Sequence, residues 1–218
     1  MWQFVHPVLH TLRIFGAVVA IALLAINFIT PAASQGQAPP VVNGPRIPKI
    51  GDTGTIRRNN NEIVTGSYIG KEGELNCWSL KSSVGEATNC NTPEGNFVRA
   101  IGSLRPGSAS PHNGFFSFPL FVGKSWDHRY TYTFSNLAGG QVWTRDRRAT
   151  VTSYEKITVP AGTFDTFKIE SSTSGHSGNY SGVALETYYY SPETGGIVKY
   201  DSTDFNTHTE LLSYTRAK

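Results

Sequence analysis

The feature that most constrains this chain is a recurrence of short runs in which apolar and polar residues alternate. The runs are rich in Thr, Tyr, Val and Phe, and Gly, Pro, Asn and Ser separate them. From Thr55 onward no window of eleven or more residues keeps the apolar spacing of an amphipathic helix, whereas alternation is typical of half-buried strands. The pattern predicts an all-β fold, either an antiparallel, strongly curved sheet or a partly open β-barrel built of hairpins. The predicted strands are Glu62–Ile69, Asn96–Ile101, Arg129–Ser135, Gln141–Val159, Phe164–Ser171, Ala184–Tyr190, Ile197–Ser202 and Thr207–Tyr214.

The segment VPAGTFDTF (Val159–Phe167) lies between two predicted strands, and we interpret it as a turn rather than a ligand-holding loop. Pro160 has a fixed φ that suits the first turn position, and Gly162 can adopt the left-handed conformation. Together they predict a three-residue loop in which Val159 lies opposite Thr163. This register places four apolar residues on one face of the hairpin: Ile157, Val159, Phe167 and Ile169.

Residues 1–34 have the features of a secretory signal. A weakly basic start with Arg13 precedes the apolar run Ile14–Ile29, and small residues follow up to Ser34. The run spans about 24 Å as a helix, which is short of the ~30 Å hydrocarbon core of a bilayer. We therefore expect cleavage after Ser34, with an uncleaved membrane anchor as the alternative. The Pro- and Gly-rich residues 35–54 are predicted to form a flexible arm, and residues 55–218 a single β domain.

The chain that remains after cleavage is close to neutral. Removal of the signal takes away Arg13 and lowers the formal net charge from +3 to +2. Such a small charge does not indicate a nucleic-acid partner. The sequence contains no phosphate loop, dinucleotide fingerprint or nucleic-acid motif.

Cys77 and Cys90 are the two cysteines of the chain. An even number in an exported protein predicts a disulfide between them, with two free buried thiols as the alternative. Their spacing is not the C-x-x-C pattern of redox or zinc sites. Alternation is weakest from Gly70 to Gly95, and we expect this region to be an irregular excursion held by the disulfide.

Four segments in the second half resemble a family of exported bacterial β domains of unknown function, called TapB-like. The resemblance covers roughly Phe115 to Tyr214, and it rests on the order of the four segments. It implies export and a β-rich fold, and it supplies no catalytic residues. The segments are FPLFVGKSW (Phe118–Trp126), VPAGTFDTFKIE (Val159–Glu170), TYYYSPETGGIVKY (Thr187–Tyr200) and ELLSY (Glu210–Tyr214).

Three consecutive tyrosines and a basic cluster supply the candidate ligand-binding residues. Tyr188, Tyr189 and Tyr190 must occupy both faces of their strand, so one face presents either core or a platform for an apolar or sugar ligand. In the cluster RDRR, Arg145 and Arg147 share a face. Contact with a headgroup, a polysaccharide or a protein is one interpretation of that cluster. A solvated face that discourages edge pairing is the other.

No constellation in the sequence specifies catalysis. The segment SGHSGN (Ser174–Asn179) differs from the G-x-S-x-G elbow in its last glycine and has no helix after it, so we predict a polar hairpin loop. Asp201, Asp204 and His208 lie close in sequence, as an acid–base pair or a hard-cation site would require, but carboxylates that start Asx-turns are commoner. No carboxylate pair can be preferred for glycosidase chemistry. We therefore predict no catalytic residue, metal or cofactor.

These patterns predict a periplasmic or secreted bacterial envelope protein that is not an enzyme. Its concave face is expected to bind an apolar, lipid-like or glycan ligand, or a partner protein. One alternative is a hydrolase that acts on envelope material with His128, His176 or His208 as base. The other is a purely structural component. Neither a nucleic-acid partner nor a transmembrane anchor after signal cleavage is expected.

Overall fold

The structure is a computed structural model that describes residues 38–135 and 141–217. The expected signal segment (residues 1–34), its cleavage after Ser34 and the first residues of the expected arm lie outside the described residues. Within the described ranges, no helix is long and apolar enough to cross a membrane.

Across the described ranges, twelve antiparallel strands close into a barrel. Each strand pairs with its neighbours in sequence, and β1 also pairs with β12, which closes the ring. The all-β prediction is confirmed, and the barrel is closed rather than partly open. The strands are β1 (Thr53–Arg58), β2 (Glu62–Glu72), β3 (Leu75–Ser82), β4 (Gly85–Asn91), β5 (Phe97–Gly102), β6 (Gly107–Ser110), β7 (Ser125–Phe134), β8 (Gln141–Val159), β9 (Gly162–Ser177), β10 (Tyr180–Ser191), β11 (Gly196–Ser202) and β12 (Thr207–Thr215).

The region with the two cysteines is regular rather than irregular. β3 and β4 form a hairpin in which Cys77 lies directly opposite Cys90, and the two sulfurs form a disulfide. The disulfide prediction is confirmed, whereas the prediction of an irregular excursion was wrong. Both strands carry polar residues at inward positions, for example the buried Asn76. Such residues hide the alternation that reveals the other strands.

The arm, residues 38–52, contains no strand, but hydrogen bonds attach it to the barrel. Val42 and Leu120 exchange backbone hydrogen bonds of 2.9 and 2.8 Å. The buried carboxylate of Asp52 accepts hydrogen bonds from the side chain of Arg46 and from the backbone N–H of Ala217. The hydrogen bond from Arg46 lowers the pKa of Asp52 to about 2. The arm is therefore linked to the connection between β6 and β7 and to the carboxyl-terminal end of the described chain.

The hairpin between β8 and β9 has a two-residue loop, Pro160 and Ala161, rather than the predicted three-residue loop. Val159 pairs with Gly162, so the predicted pairing of Val159 with Thr163 was wrong. The register shift turns Phe164 to the same face as Val159, where both pack against β11 and β12. The cluster contains Val159, Phe164, Val198 and Leu211.

Apolar residues of β9 therefore belong to two faces. Thr166 and Phe167 are adjacent in sequence and fully buried, which shows that burial changes face between them. Phe167 and Ile169 pack in a different cluster from Val159. The prediction that all four apolar residues share one face of this hairpin was therefore wrong. The tip of the hairpin bends toward β12, where the backbone N–H of Ala161 donates to the carbonyl oxygen of Leu211.

Gly162→Ala should destabilise the fold by at least about 1 kcal/mol. Gly162 has φ of +137°, which a residue with a side chain adopts only under strain, although an added Cβ would meet only the ring of Phe164 at 3.8 Å. Urea unfolding would measure the effect. Gly182→Ala is the matched control, because Gly182 has open space around it and no positive φ. Equal unfolding midpoints for the two variants would contradict the claim that the backbone at position 162 requires glycine.

Candidate functional site

The inner face of the barrel is covered by the chain itself. The connection between β6 and β7, residues 111–124, forms what we call the inner segment. Leu120 of this segment is fully buried, and Phe116 packs its ring against Tyr188 and Tyr190 with centroid distances of 6.0 and 5.1 Å. Asn96 holds the segment in place by bonding both the N–H and the C=O of Phe116. A ligand on this part of the concave face would have to displace the inner segment.

The three consecutive tyrosines are divided between two environments. Tyr188 and Tyr190 are fully buried beneath the inner segment, and Tyr188 donates to Phe115 O over 2.8 Å. Burial raises the pKa of Tyr190 to about 12 and that of Tyr188 further still. Tyr189 is half-buried on the opposite face, with Lys199 Nζ 5.8 Å from its ring centre. Only Tyr189 is placed where it could meet a ligand on the outside of the barrel.

The basic cluster is also divided. Arg147 is only 3% exposed and lies inside the barrel, whereas Arg148 is exposed. The expectation of a solvated face is therefore right for Arg148 and wrong for Arg147. Arg145 is largely buried on the same inward face as Arg147, and it forms an ion pair of 3.4 Å with Asp204.

Arg147 is held by the buried carboxylate of Glu186, which lies 3.0 Å from the guanidinium. Burial is the largest single effect and lowers the pKa of Arg147, but Glu186 together with Tyr188 and Tyr130 raises it above the ordinary value. The ring of Phe115 lies over the guanidinium at 4.2 Å. The other donors to the Glu186 carboxylate are Ser171, Thr173 and Tyr200, each at 2.9 Å. Protein groups therefore satisfy the carboxylate of Glu186 from all sides, and we interpret this cluster as a structural part of the core rather than a ligand site.

On the outside of the same strands lies a groove of about 860 Å³, which we call the outer groove. Its floor is a row of directly paired residues that crosses five consecutive strands, β8 to β12. Bulges in β8 and β11 bend these strands locally, which helps to make the surface concave. The row contains Thr150, Glu170, Thr187, Asp201 and His208, and all five line the groove.

A second paired row borders the first. Arg148 lies opposite Ser172, which in turn lies opposite Leu185. Thr203 continues this row, because its Oγ1 accepts from Leu185 N over 2.9 Å. Leu185 is the sole apolar side chain among the described residues that line the groove. Most lining residues carry hydrogen-bonding groups, but their methyl and methylene groups make up most of the exposed lining. The groove therefore presents polar groups side by side with small apolar patches.

Asp201 and His208 form the closest titratable pair of the outer groove. They lie opposite each other on β11 and β12, with 2.5 Å between His208 Nδ1 and Asp201 Oδ1. This carboxylate orients the ring, as it does for the general base of a hydrolase. Among the described residues, however, no hydroxyl bonds to His208 Nε2. Asp204, the third residue of this predicted group, pairs with Arg145 instead.

The remaining histidines do not join this pair. His112 and His128 stack in parallel with ring centres 4.3 Å apart, beside a pocket of about 340 Å³. Burial, and then the neighbouring His128, lower the pKa of His112. Gly114 lies against His128, since a Cβ at this position would come within 2.3 Å of the ring. His176 is exposed near the end of β9. The predicted hairpin is present, but its loop is only Gly178 and Asn179, because Ser174–Ser177 are paired residues of β9.

No metal centre is evident among the described residues. Their one group of His, Cys, Asp or Glu ligand atoms close enough to share an ion is Glu72 with Cys77 and Cys90. Both sulfurs are already bonded to each other in the disulfide.

The sequence singled out only part of this site. It drew attention to Asp201 and His208 but missed Thr150, Glu170 and Thr187. These three residues could have been assigned to the site only from the strand register. They lie on separate strands and become neighbours only when the strands pair. The buried Glu186 was also missed, since an isolated acidic residue in an alternating strand looks like a solvent-facing one.

The fold and the groove define a class of closed, antiparallel β-barrel domains without an evident catalytic centre among the described residues. A model of the DUF3108-like family matches residues 135–216, which contain all the strands of the outer groove. This range overlaps the region that resembles TapB-like domains, although the match does not carry that name. No curated protein matches the chain.

Two solved structures have a similar fold at low sequence identity. The hypothetical lipoprotein YmcC from Escherichia coli superposes with a TM-score of 0.51 and 12% identity, over 77% of this chain and 85% of that one. A Bacteroides fragilis protein with a YmcC-like fold, named as a candidate exported protein, also gives a TM-score of 0.51 and 12% identity. That match covers 81% of this chain and 100% of the other. These likenesses concern the fold alone.

Proposed function

We propose that this protein is an exported, non-enzymatic module of the bacterial envelope that binds a glycan in the outer groove. The observation that carries the proposal is the paired polar row across β8–β12. Hydroxyl, carboxylate and imidazole groups from five strands converge there on one open surface. Groups held by a paired sheet are fixed before a ligand arrives, which lowers the entropic cost of binding.

The proposed export is supported by the apolar segment Ile14–Ile29 and by the disulfide, which forms and persists in oxidising compartments. Structures of similar fold include a hypothetical lipoprotein and a candidate exported protein. We favour a glycan over a lipid because the inner segment covers the apolar inner face. The groove also combines hydrogen-bonding groups with the methyl groups of its threonines, as the edge and the faces of a sugar ring require. An envelope protein as ligand remains an outcome of the test below.

Thr187→Trp should abolish binding of the ligand, because Thr187 lies at the centre of the row and an indole there fills the groove. Native gels cast with neutral, acidic or cationic polysaccharides would measure the retardation of each variant. Thr65→Trp is the matched control, since Thr65 is exposed on β2, outside the groove. We expect at least one polysaccharide to retard the wild type and the control but not Thr187→Trp. If no polysaccharide retards the wild type, the proposal fails and a protein ligand becomes the leading idea.

The second candidate function is hydrolysis of envelope material with His208 as general base. The 2.5 Å contact between Asp201 and His208 favours it, because an oriented imidazole can accept a proton from water. His128 is less suited to this role, since its Nε2 lies 2.8 Å from His112 O. Release of reducing sugar ends from the bound polysaccharide, lost in His208→Ala while binding persists, would support hydrolysis over simple binding.

A further inference from the structure

Each charged side chain on the surface of the outer groove has an opposite charge close to it. The surface pairs are Arg148–Asp127 (2.8 Å), Glu170–Lys168 (2.6 Å) and Asp201–Lys199 (3.8 Å), whereas Glu186 is paired with Arg147 in the interior (3.0 Å). Three cations therefore balance three anions, and apart from His208 the surface has no net charge. A groove of this kind does not attract a polyanion or a polycation by long-range electrostatics.

The other polar groups of the groove are uncharged. Hydroxyls both donate and accept hydrogen bonds, so they match the hydroxyls of a sugar in either orientation. The exposed or half-buried hydroxyl and amide residues of the lining are Thr150, Thr152, Ser172, Thr187, Thr203, Asn206 and Thr207, whereas Ser171 and Ser202 are buried beside Glu186.

An exposed aromatic residue belongs to the turn at the end of the groove. Phe205 is 75% exposed and has φ of +54°, in the left-handed region that bulky residues rarely adopt. Phe205 is not itself a lining residue, but its neighbours Thr203 and Asn206 in the same turn line the groove. Leu185 binds Thr203 through a backbone bond of 3.0 Å, and the side chain of Asn59 donates to Asn206 O. Hydrogen bonds on both sides of Phe205 therefore hold the turn in this conformation. Residues that are held in a strained backbone conformation are found preferentially at functional sites.

We infer that the outer groove selects neutral glycans and that Phe205 provides the apolar surface on which one sugar ring stacks. The inference rests on the proposed function, because it names the substrate class of the same groove. A pyranose ring has hydroxyls at its edge and C–H groups on its faces. Its edge meets the hydroxyl-lined floor, and its face meets the exposed phenyl ring.

The test compares dextran and galactomannan with alginate and chitosan in affinity gels, at about 20 and about 200 mM salt. We expect a neutral polysaccharide to retard the full chain most strongly, with a dissociation constant that changes less than about twofold with salt. Phe205→Ala should weaken this binding about three- to tenfold. Tyr180→Ala is the control: Tyr180 is 71% exposed but begins β10, five residues before Leu185, the first residue of that strand that lines the groove. Its loss should leave binding unchanged.

Each outcome decides a separate point. Stronger binding to alginate or chitosan that salt abolishes, and that Thr187→Trp removes, overturns neutral selection but leaves the groove as a glycan site. Equal affinity of Phe205→Ala and the wild type, with both folded by circular dichroism, overturns the role of Phe205. If no polysaccharide of any charge is bound, the proposed function itself fails and this inference fails with it.

Discussion

Replacing Glu186 with glutamine is expected to lower the free energy of unfolding by about 3–5 kcal/mol. The substitution keeps the shape of the side chain but removes the one carboxylate that contacts the buried guanidinium of Arg147. Since Arg147 is only 3% exposed, water cannot replace the lost negative charge. An unpaired charge inside a protein is among the few single changes that cost this much.

The measurement is urea unfolding followed by circular dichroism, with the slope of the transition checked against the wild type. Asp127→Asn is the matched control, because it removes the carboxylate partner of Arg148 in an exposed ion pair. Exposed pairs contribute little, so this variant should unfold close to the wild-type midpoint. Similar losses in the two variants would mean that the interior pair is solvated and that our description of it is wrong.

A double variant separates the charge effect from the loss of packing. In Arg147→Met/Glu186→Gln both charges are absent, and the amide oxygen at position 186 can still accept from the neighbouring hydroxyls. Buried ion pairs that are replaced in this way commonly lose little stability or gain some. We therefore expect the double variant to be more stable than Glu186→Gln, although it contains more changes.

The sequence was informative where the structure depends on local alternation. Strands β7 to β12 alternate clearly, and Gln141–Val159 was predicted with the bounds that the structure has. β3 and β4 were not predicted because their inward positions include polar residues such as Asn76, which makes both faces look alike. Alternation reports the difference between the two faces of a strand, and it fails when that difference is small.

Features that depend on long-range register were not predictable. Arg147 was expected either to contact a ligand or to lie on a solvated face, but the closed barrel turns it inward while its neighbour Arg148 faces solvent. The partner that makes this burial tolerable, Glu186, lies on a different strand.

Bulges at Thr152 and near Val198 shift the register by one residue. The charged Glu155 on the apolar face of Gln141–Val159 indicates a bulge nearby, whereas no sequence pattern marks the one near Val198. Each row of the outer groove depends on these shifts.

The second large effect is expected from Phe116→Ala, which should destabilise the protein by about 3–5 kcal/mol. Phe116 is 7% exposed and contacts the rings of Phe118, Tyr188 and Tyr190. Its removal leaves a cavity at the centre of the main apolar cluster, because the strands on either side are fixed by pairing and cannot collapse fully. The unfolding temperature should fall by on the order of 10 °C.

Phe121→Ala provides the control from the same inner segment. Phe121 is 41% exposed, so its truncation removes much less buried surface and should change the unfolding temperature only slightly. Calorimetry on both variants would show whether the inner segment is part of the core or a loosely held cover. If both variants lower the unfolding temperature by the same small amount, the inner segment is only loosely attached and a ligand could displace it.

The same pair of variants distinguishes a filled interior from a ligand-binding one. If the inner segment is core, Phe116→Ala creates a dry cavity that small apolar molecules such as benzene can enter, as they enter other engineered apolar cavities. Benzene should then raise the unfolding temperature of Phe116→Ala but not that of the wild type. A similar rise in the wild type would mean that the interior is already open to apolar ligands. The concave face, rather than the outer groove, would then become the first place to search for the natural ligand.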